Sequence, residues 1–134
     1  MAFKATDIAW LAGLIEGEGS IFGQTGTTDR ARSRWIFSLE MTDKDVVERA
    51  AKIWGHGSVR QIPARQRPHA LGRKDIYVWR FENRAQVYAL LAAIYPWLGN
   101  RRKAKAKEAL LDLAPVTSFQ RKANKWLVSS SRQS

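Results

Sequence analysis

The sequence predicts an α+β domain in the order α-ββ-α-ββ-α-α, with its strands in one antiparallel sheet. Apolar residues recur at helical spacing in four stretches, near residues 6–18, 42–55, 83–98 and 100–114. Two stretches near 20–41 and 58–82 instead carry strand-like segments on either side of turn or loop chemistry. Each of these hairpins is preceded and followed by a helix, a pseudo-repeat that places helices on one face of the sheet and leaves the other open.

The first helix opens with Thr6 as N-cap and Asp7 in the first turn, and runs to about Glu18. Ile8, Leu11, Leu14 and Ile15 form its core stripe. Ala9, Gly13 and Gly17 recur every four residues on another side, a ridge with almost no side chain. Each mid-helix glycine costs about 1 kcal/mol against alanine, and close approach of a second helix would account for that cost. The chain offers no second such helix, so the expected partner is a copy of itself. Glu16 and Glu18 stand where the helix ends, against its macrodipole, and Gly19 serves the turn out. Across a two-fold axis, two Glu18 side chains would concentrate negative charge. Their hard oxygen ligands suit Mg2+ or Ca2+. An ordinary amphipathic helix with a glycine-rich end fits the same spacing.

The first hairpin pairs a strand over Ser20–Thr25 with one from about Arg30 to Met41, across the turn residues 26–29. Trp35, Phe37, Leu39 and Met41 share one face; Arg30, Arg32 and Arg34 share the other, followed by Ile36, Ser38 and Glu40. Arginine suits both guanine edges and phosphates, and a two-stranded ribbon fits the major groove. A solvated outer face is the competing explanation. The second helix, 42–55, is capped by Thr42 or Asp43, carries Val46, Val47, Ala50, Ile53 and Trp54 as its stripe, and ends at Gly55.

The second hairpin joins Ser58–Ile62 to Asp75–Glu82 through a long basic loop containing Arg65, Arg67, Arg73 and Lys74. Its register is ambiguous, because Tyr77, Trp79 and Phe81 alternate with Ile76, Val78 and Arg80. If Arg80 faces out, the aromatics enter the core. Asn83 with Gln86 forms a capping-box-like start to the third helix, whose Val87, Leu90, Leu91 and Ile94 face inward before Pro96 ends it. The fourth helix has Arg101, Arg102 and Lys103 in its first turn, against the dipole; an anion docked there would satisfy both the side chains and the backbone N–H groups. A single domain is expected over 1–114, with a basic, partly disordered tail over 115–134.

The 134 residues carry 23 Lys and Arg against 12 Asp and Glu, a net charge of +11 that calls for a polyanionic partner, most simply nucleic acid. Zero cysteines exclude disulfides, thiolate catalysis and cysteine-based zinc sites. Only two histidines, His56 and His69, are present, and both fall in expected turns, which argues against a histidine metal site or a serine–histidine triad. No apolar run approaches the ~18–20 residues of a membrane span, and no signal-peptide pattern opens the chain. The expectation is a soluble, intracellular protein with no membrane partner.

The nine residues Leu11-Ala12-Gly13-Leu14-Ile15-Glu16-Gly17-Glu18-Gly19 resemble the signature of the LAGLIDADG homing endonucleases. They depart from it by Glu for Asp at two positions and Gly for Ala at the seventh, changes that keep both carboxylates. The resemblance spans about residues 5 to 114 and implies the homing-endonuclease fold, whose antiparallel sheet forms a DNA saddle with helices on the opposite face. One copy of the signature implies a homodimer acting on a long, roughly palindromic double-stranded DNA. The implied reaction is hydrolysis of both strands with Mg2+, or with Ca2+ or Mn2+ in its place.

By the same resemblance, Glu18 is the catalytic carboxylate and metal ligand, and the backbone carbonyl of Gly17 is a second ligand. By position, Asp43 corresponds to a polar residue after the second strand, and Arg101 or Lys103 to a basic residue before the last helix. Asp43 serves either to orient water or as an N-cap. Candidate DNA contacts are Gln24, Arg30, Arg32 and Arg34 on the first hairpin, with Arg60, Arg65, Arg67 and Arg80 from the second. Two alternatives share the fold: a maturase that binds the intron RNA encoding it, and a DNA-binding regulator without cleavage.

Overall fold

In the computed structural model, which describes residues 3–24, 34–66 and 74–114, the chain runs α1 (Ala5–Glu18), β1 (Gly19–Gln24), β2 (Arg34–Met41), α2 (Lys44–Trp54), β3 (Ser58–Ile62), β4 (Ile76–Phe81), α3 (Arg84–Ile94) and α4 (Asn100–Leu113). The four strands form one antiparallel sheet in the order β1-β2-β4-β3. The predicted element order therefore stands. Arg30, Arg32, Arg67 and Arg73, and the whole tail from 115, lie outside the described residues.

One face of the sheet and all four helices make the core. Trp35, Phe37 and Leu39 of β2 meet Trp79 and Phe81 of β4, and these pack with Leu11, Ile15, Val47, Leu90, Leu91 and Ile94 of the helices. The aromatics interlock edge-on, with Phe37 and Trp79 ring centroids 4.8 Å apart at 73°. Each core-side tryptophan has a partner for its ring N–H. Trp35 Nε1 donates to Asp112 Oδ2 at 2.6 Å, Trp54 Nε1 to Gln86 Oε1 at 3.1 Å, and Trp79 Nε1 to the His56 carbonyl at 2.9 Å.

The register left open by the sequence is settled by pairing. Arg80 lies opposite both Ser38 and Ser58, while Trp79 lies opposite Leu39 and Val59. Arg80 is exposed and Trp79 fully buried. Gly57 makes this possible: it adopts φ +87, and a side chain there would sit 2.7 Å from Trp79 Nε1.

Two local expectations need correction. The N-cap of α1 is Lys4, without a side-chain cap, and Thr6 lies inside the helix. Gly19 does turn the chain out, but through extended backbone (φ −77). Its requirement is space, because a Cβ would meet Ile15 Cγ2 at 2.8 Å and the Ile15 carbonyl oxygen at 2.9 Å. Elsewhere the caps follow the sequence. Asn83 accepts from the Gln86 N–H at 3.1 Å, and Gly55 closes α2 in the left-handed region at φ 84. Asp43 is the N-cap residue of α2 by backbone position, with no side-chain cap bond.

Candidate functional site

Residues facing each other across neighbouring strands share a face of the sheet, so the pairing identifies the face away from the helices. Ser20, Ser38, Arg80 and Ser58 form one row across all four strands; Glu40, Val78 and Arg60 form the next, with Phe22 beside Ile36 and Gln24 beside Arg34. Arg34, Arg60 and Arg80 are exposed there. The middle of this face is less solvated than the alternation predicts. Ile36, Ser38 and Val78 are all at most 5% exposed, so the central strands cover part of this face around the exposed Arg80. The Arg80 guanidinium lies 5.7 Å from the centre of the Phe22 ring. Arg34 stands 3.8 Å from Glu82, with both side chains more than half exposed, an ion pair weak enough to exchange for a phosphate.

The second hairpin presents Arg65 from a short 3₁₀ turn, Ala64–Gln66. Asp75 clamps this turn: Oδ1 accepts from the Ala64 N–H at 2.9 Å and Oδ2 from Gln61 Nε2 at 2.7 Å. These bonds, the backbone one foremost, hold the Asp75 carboxyl below its ordinary value, with Arg65 adding a smaller effect in the same direction. Because the folded value is the depressed one, the clamp's contribution is complete above the unfolded value and is lost as pH falls through the folded value. Followed by NMR, the Ala64 amide proton should therefore titrate with a midpoint below that of an ordinary aspartate. A midpoint at or above it would show that the clamp does not form.

Around the exit of α1 the structure separates the two acidic residues. Glu16 is engaged: its carbonyl oxygen accepts from Arg102 Nε at 2.7 Å, and its Oε2 accepts from the Gly99 N–H at 3.2 Å. Glu18 is exposed and makes no hydrogen bond or ion pair among the described residues. It opens onto a cleft shared with Glu40, Thr42 and Asp43, so two residues singled out separately in the sequence, Glu18 and Asp43, come to one place. Among the described residues no group of three or more acidic or histidine side chains is arranged to hold a metal ion. The protomer thus offers hard carboxylate oxygens that fit Mg2+ or Ca2+ by type, but not a closed shell.

Of the two candidate cations on α4, Arg101 lines a cleft with Gly19 and Ser20, the residues that follow Glu18. Lys103 turns elsewhere, its Nζ 5.6 Å from the centre of the Tyr95 ring. The anion at the start of α4 is Glu16 of the chain itself. Arg102, which the sequence offered only as one of a basic run, is its partner; no local pattern pairs residues 86 positions apart.

The small-residue ridge of α1 lies open. Gly13 and Gly17 are exposed, a Cβ at either would meet nothing within 4 Å, and Ala9 is half-buried. No helix among the described residues is long and apolar enough to cross a membrane.

A four-stranded antiparallel sheet with helices on one face, entered from a helix ending Glu-Gly-Glu-Gly, is the fold of the LAGLIDADG homing endonucleases. The chain is similar to the homing endonuclease I-CvuI, solved with its target in 2 mM Ca, with a TM-score of 0.62 and 21% identity over 81% of this chain and 66% of that one. It is similar to I-TnaI, with a TM-score of 0.60 and 18% identity over 84% of this chain and 73% of that one. The group I intron-encoded I-CeuI, complexed with DNA, aligns with a TM-score of 0.56 and 18% identity over 79% of this chain and 52% of that one. The chain thus spans about two-thirds or less of I-CvuI and about half of I-CeuI. No family model and no curated protein matches the sequence.

Proposed function

We propose that the protein is a site-specific DNA endonuclease that acts as a homodimer and hydrolyses both strands of a long, roughly palindromic site with a divalent metal. The observation that carries this reading is Glu18: an exposed, unengaged carboxylate at the exit of α1, beside a sheet face edged by arginines, on the homing-endonuclease fold. I-CvuI is complexed with DNA, its own target in 2 mM Ca and the I-CreI target, uncleaved, in 2 mM Mg, and I-CeuI is complexed with DNA. Net charge of +11 suits the same partner.

In the dimer the Ala9-Gly13-Gly17 ridges of two α1 helices meet backbone to backbone. This brings two Glu18 carboxylates and two Gly17 carbonyls together, completing a ligand set that one protomer lacks. The Glu18 carboxylate and the Gly17 carbonyl would hold a divalent ion there, which when bound would supply water activation and charge stabilisation at the leaving 3′ oxygen. Glu18 holds the reacting phosphate's counter-charge in place. Arg101 stabilises the negative charge that builds on the phosphate in the transition state, and Asp43, in the cleft it shares with Glu18, orients the attacking water. Arg34, Arg60, Arg65 and Arg80 contact DNA, and Gln24, Arg30, Arg32 and Arg67 are the further candidate contacts.

The test is a cleavage selection with the full chain on a randomised library of duplexes about 22 base pairs long, two half-sites spanning about two helical turns. Mg2+-dependent recovery of one family of near-palindromic sites is the expected result. Binding without cutting would favour a regulator, or a maturase if structured RNA binds more tightly.

Arg80→Ala tests the sheet face. If Arg80 reads a base, the variant loses about 1–3 kcal/mol on the selected site and relaxes one position. If it contacts phosphate, all sequences weaken and the salt slope falls by about one unit. Binding unchanged across a salt series would remove β4 from the interface.

A further inference from the structure

Glu18 ends α1 and Arg101 stands in the first turn of α4, 83 residues later in the chain, where it lines a cleft with Gly19 and Ser20, so the contact between these two helix ends sets how the two side chains stand relative to each other. That contact is on neither residue. Arg102 Nε donates to the Glu16 carbonyl at 2.7 Å, and the same nitrogen lies 3.9 Å from Glu16 Oε2. That Oε2 in turn accepts from the Gly99 N–H, the N-cap residue of α4. Each helix thus supplies what the other's end lacks: a cation and donor for the C-terminus of α1, an anion for the N-terminus of α4. The Arg102 side chain is 17% exposed and the Glu16 side chain 39%, so the bond to the Glu16 carbonyl is partly sheltered while the Gly99 bond is open to water. A Cβ at Gly99 would come within 2.9 Å of Glu16 Oε1 and displace the carboxylate from its N–H partner. Glu18 follows Glu16 by two residues, and Arg101 precedes Arg102 by one.

We propose that Glu16 and Arg102 are positioning residues of the cleavage site, a latch that fixes the Glu18 carboxylate relative to the Arg101 guanidinium. This rests on the reading of Glu18 and Arg101 as the reacting pair. The latch touches neither DNA nor metal, and its effect is on geometry, where small misplacements cost large factors in rate.

Two measurements on the full chain test it. The first needs no cleavage: amide hydrogen exchange in Arg102→Ala and Glu16→Gln. The latch predicts faster exchange at Gly99 and at Gly17–Gly19, with the core amides of Leu90 and Ile94 unchanged. Unchanged exchange at the α1 exit overturns the proposal whether or not the protein cuts. The second is single-turnover cleavage of the selected duplex in Arg102→Ala, Arg101→Ala and the double variant, with affinity measured in Ca2+. Arg102→Ala should slow cutting by about tenfold to a hundredfold with affinity retained, and Arg102→Lys should recover part of the rate. In the Arg101→Ala background the loss of Arg102 should cost little more, because the group it positions is gone. Equal, multiplicative losses in both backgrounds overturn the proposal. A wild type that binds but never cuts removes the cleavage reading and the positioning role with it, and the exchange data would then report only a structural contact.

Discussion

Gly13→Leu should yield a folded monomer that no longer cuts both strands. Gly13 is exposed and a Cβ there meets nothing within 4 Å among the described residues, so a side chain at this position points into open space. Leucine is the better helix former by about 0.7–1 kcal/mol, so thermal stability of the protomer should hold or rise. The same side chain placed on the Ala9-Gly13-Gly17 ridge keeps two helices from close backbone contact. Sedimentation should show a dimer for the wild type and a monomer for the variant, with near-identical circular dichroism. A dimeric, active Gly13→Leu protein would show that the ridge is not the interface.

Glu18→Gln should abolish cutting and keep DNA affinity. The substitution is close to isosteric, and Glu18 has no hydrogen bond or ion pair among the described residues to lose, so folding should be unaffected. What it removes is charge: glutamine does not balance a divalent cation as a carboxylate does. A loss on the order of 10³-fold or more in the single-turnover rate is expected, about 4 kcal/mol of transition-state stabilisation. Affinity should be equal or higher, since a negative charge beside phosphates has gone. Glu16→Gln is the informative contrast. Glu16 is held by Gly99 and Arg102, so its variant should slow cutting without eliminating it. Full activity in Glu18→Gln would move the catalytic carboxylate elsewhere, with Asp43 and Glu40 in the same cleft as the next candidates.

The sequence carried the element order because that order is written in local periods. Helical stripes such as Val87, Leu90, Leu91 and Ile94, all fully buried, need only their own spacing to be recognised. The Asn83 cap and the Gly55 terminus are equally local. The register of β4 was not legible, because Ile76, Val78 and Trp79 are all apolar and alternation alone does not choose a face; the buried Trp79 ring takes the room left by Gly57, where a Cβ would come within 2.7 Å of it. The arginine alternation of β2 overstated the polarity of the open face, since Ile36 and Ser38 sit on a strand flanked on both sides and are covered.

At the site, Glu18 and Arg101 were found through their chain positions, one at a helix exit and one at a helix start. That Glu16 is engaged and Glu18 has no partner among the described residues was not legible. Both sit at the same helix end, and the difference lies in a contact with Gly99 and Arg102 across most of the chain. Lys103 looked equivalent to Arg101 in sequence. Two residues further along α4 its side chain meets Tyr95 instead of the cleft.

The measurement closest to the central claim maps the cuts on each strand of one selected duplex, end-labelled on either strand, in Mg2+ and in chelator. A dimer with one Glu18 per protomer predicts two metal-dependent cuts, one on each strand, related by the two-fold axis of the site. A single nick, cuts unrelated by that axis, or cleavage that persists in chelator would contradict it.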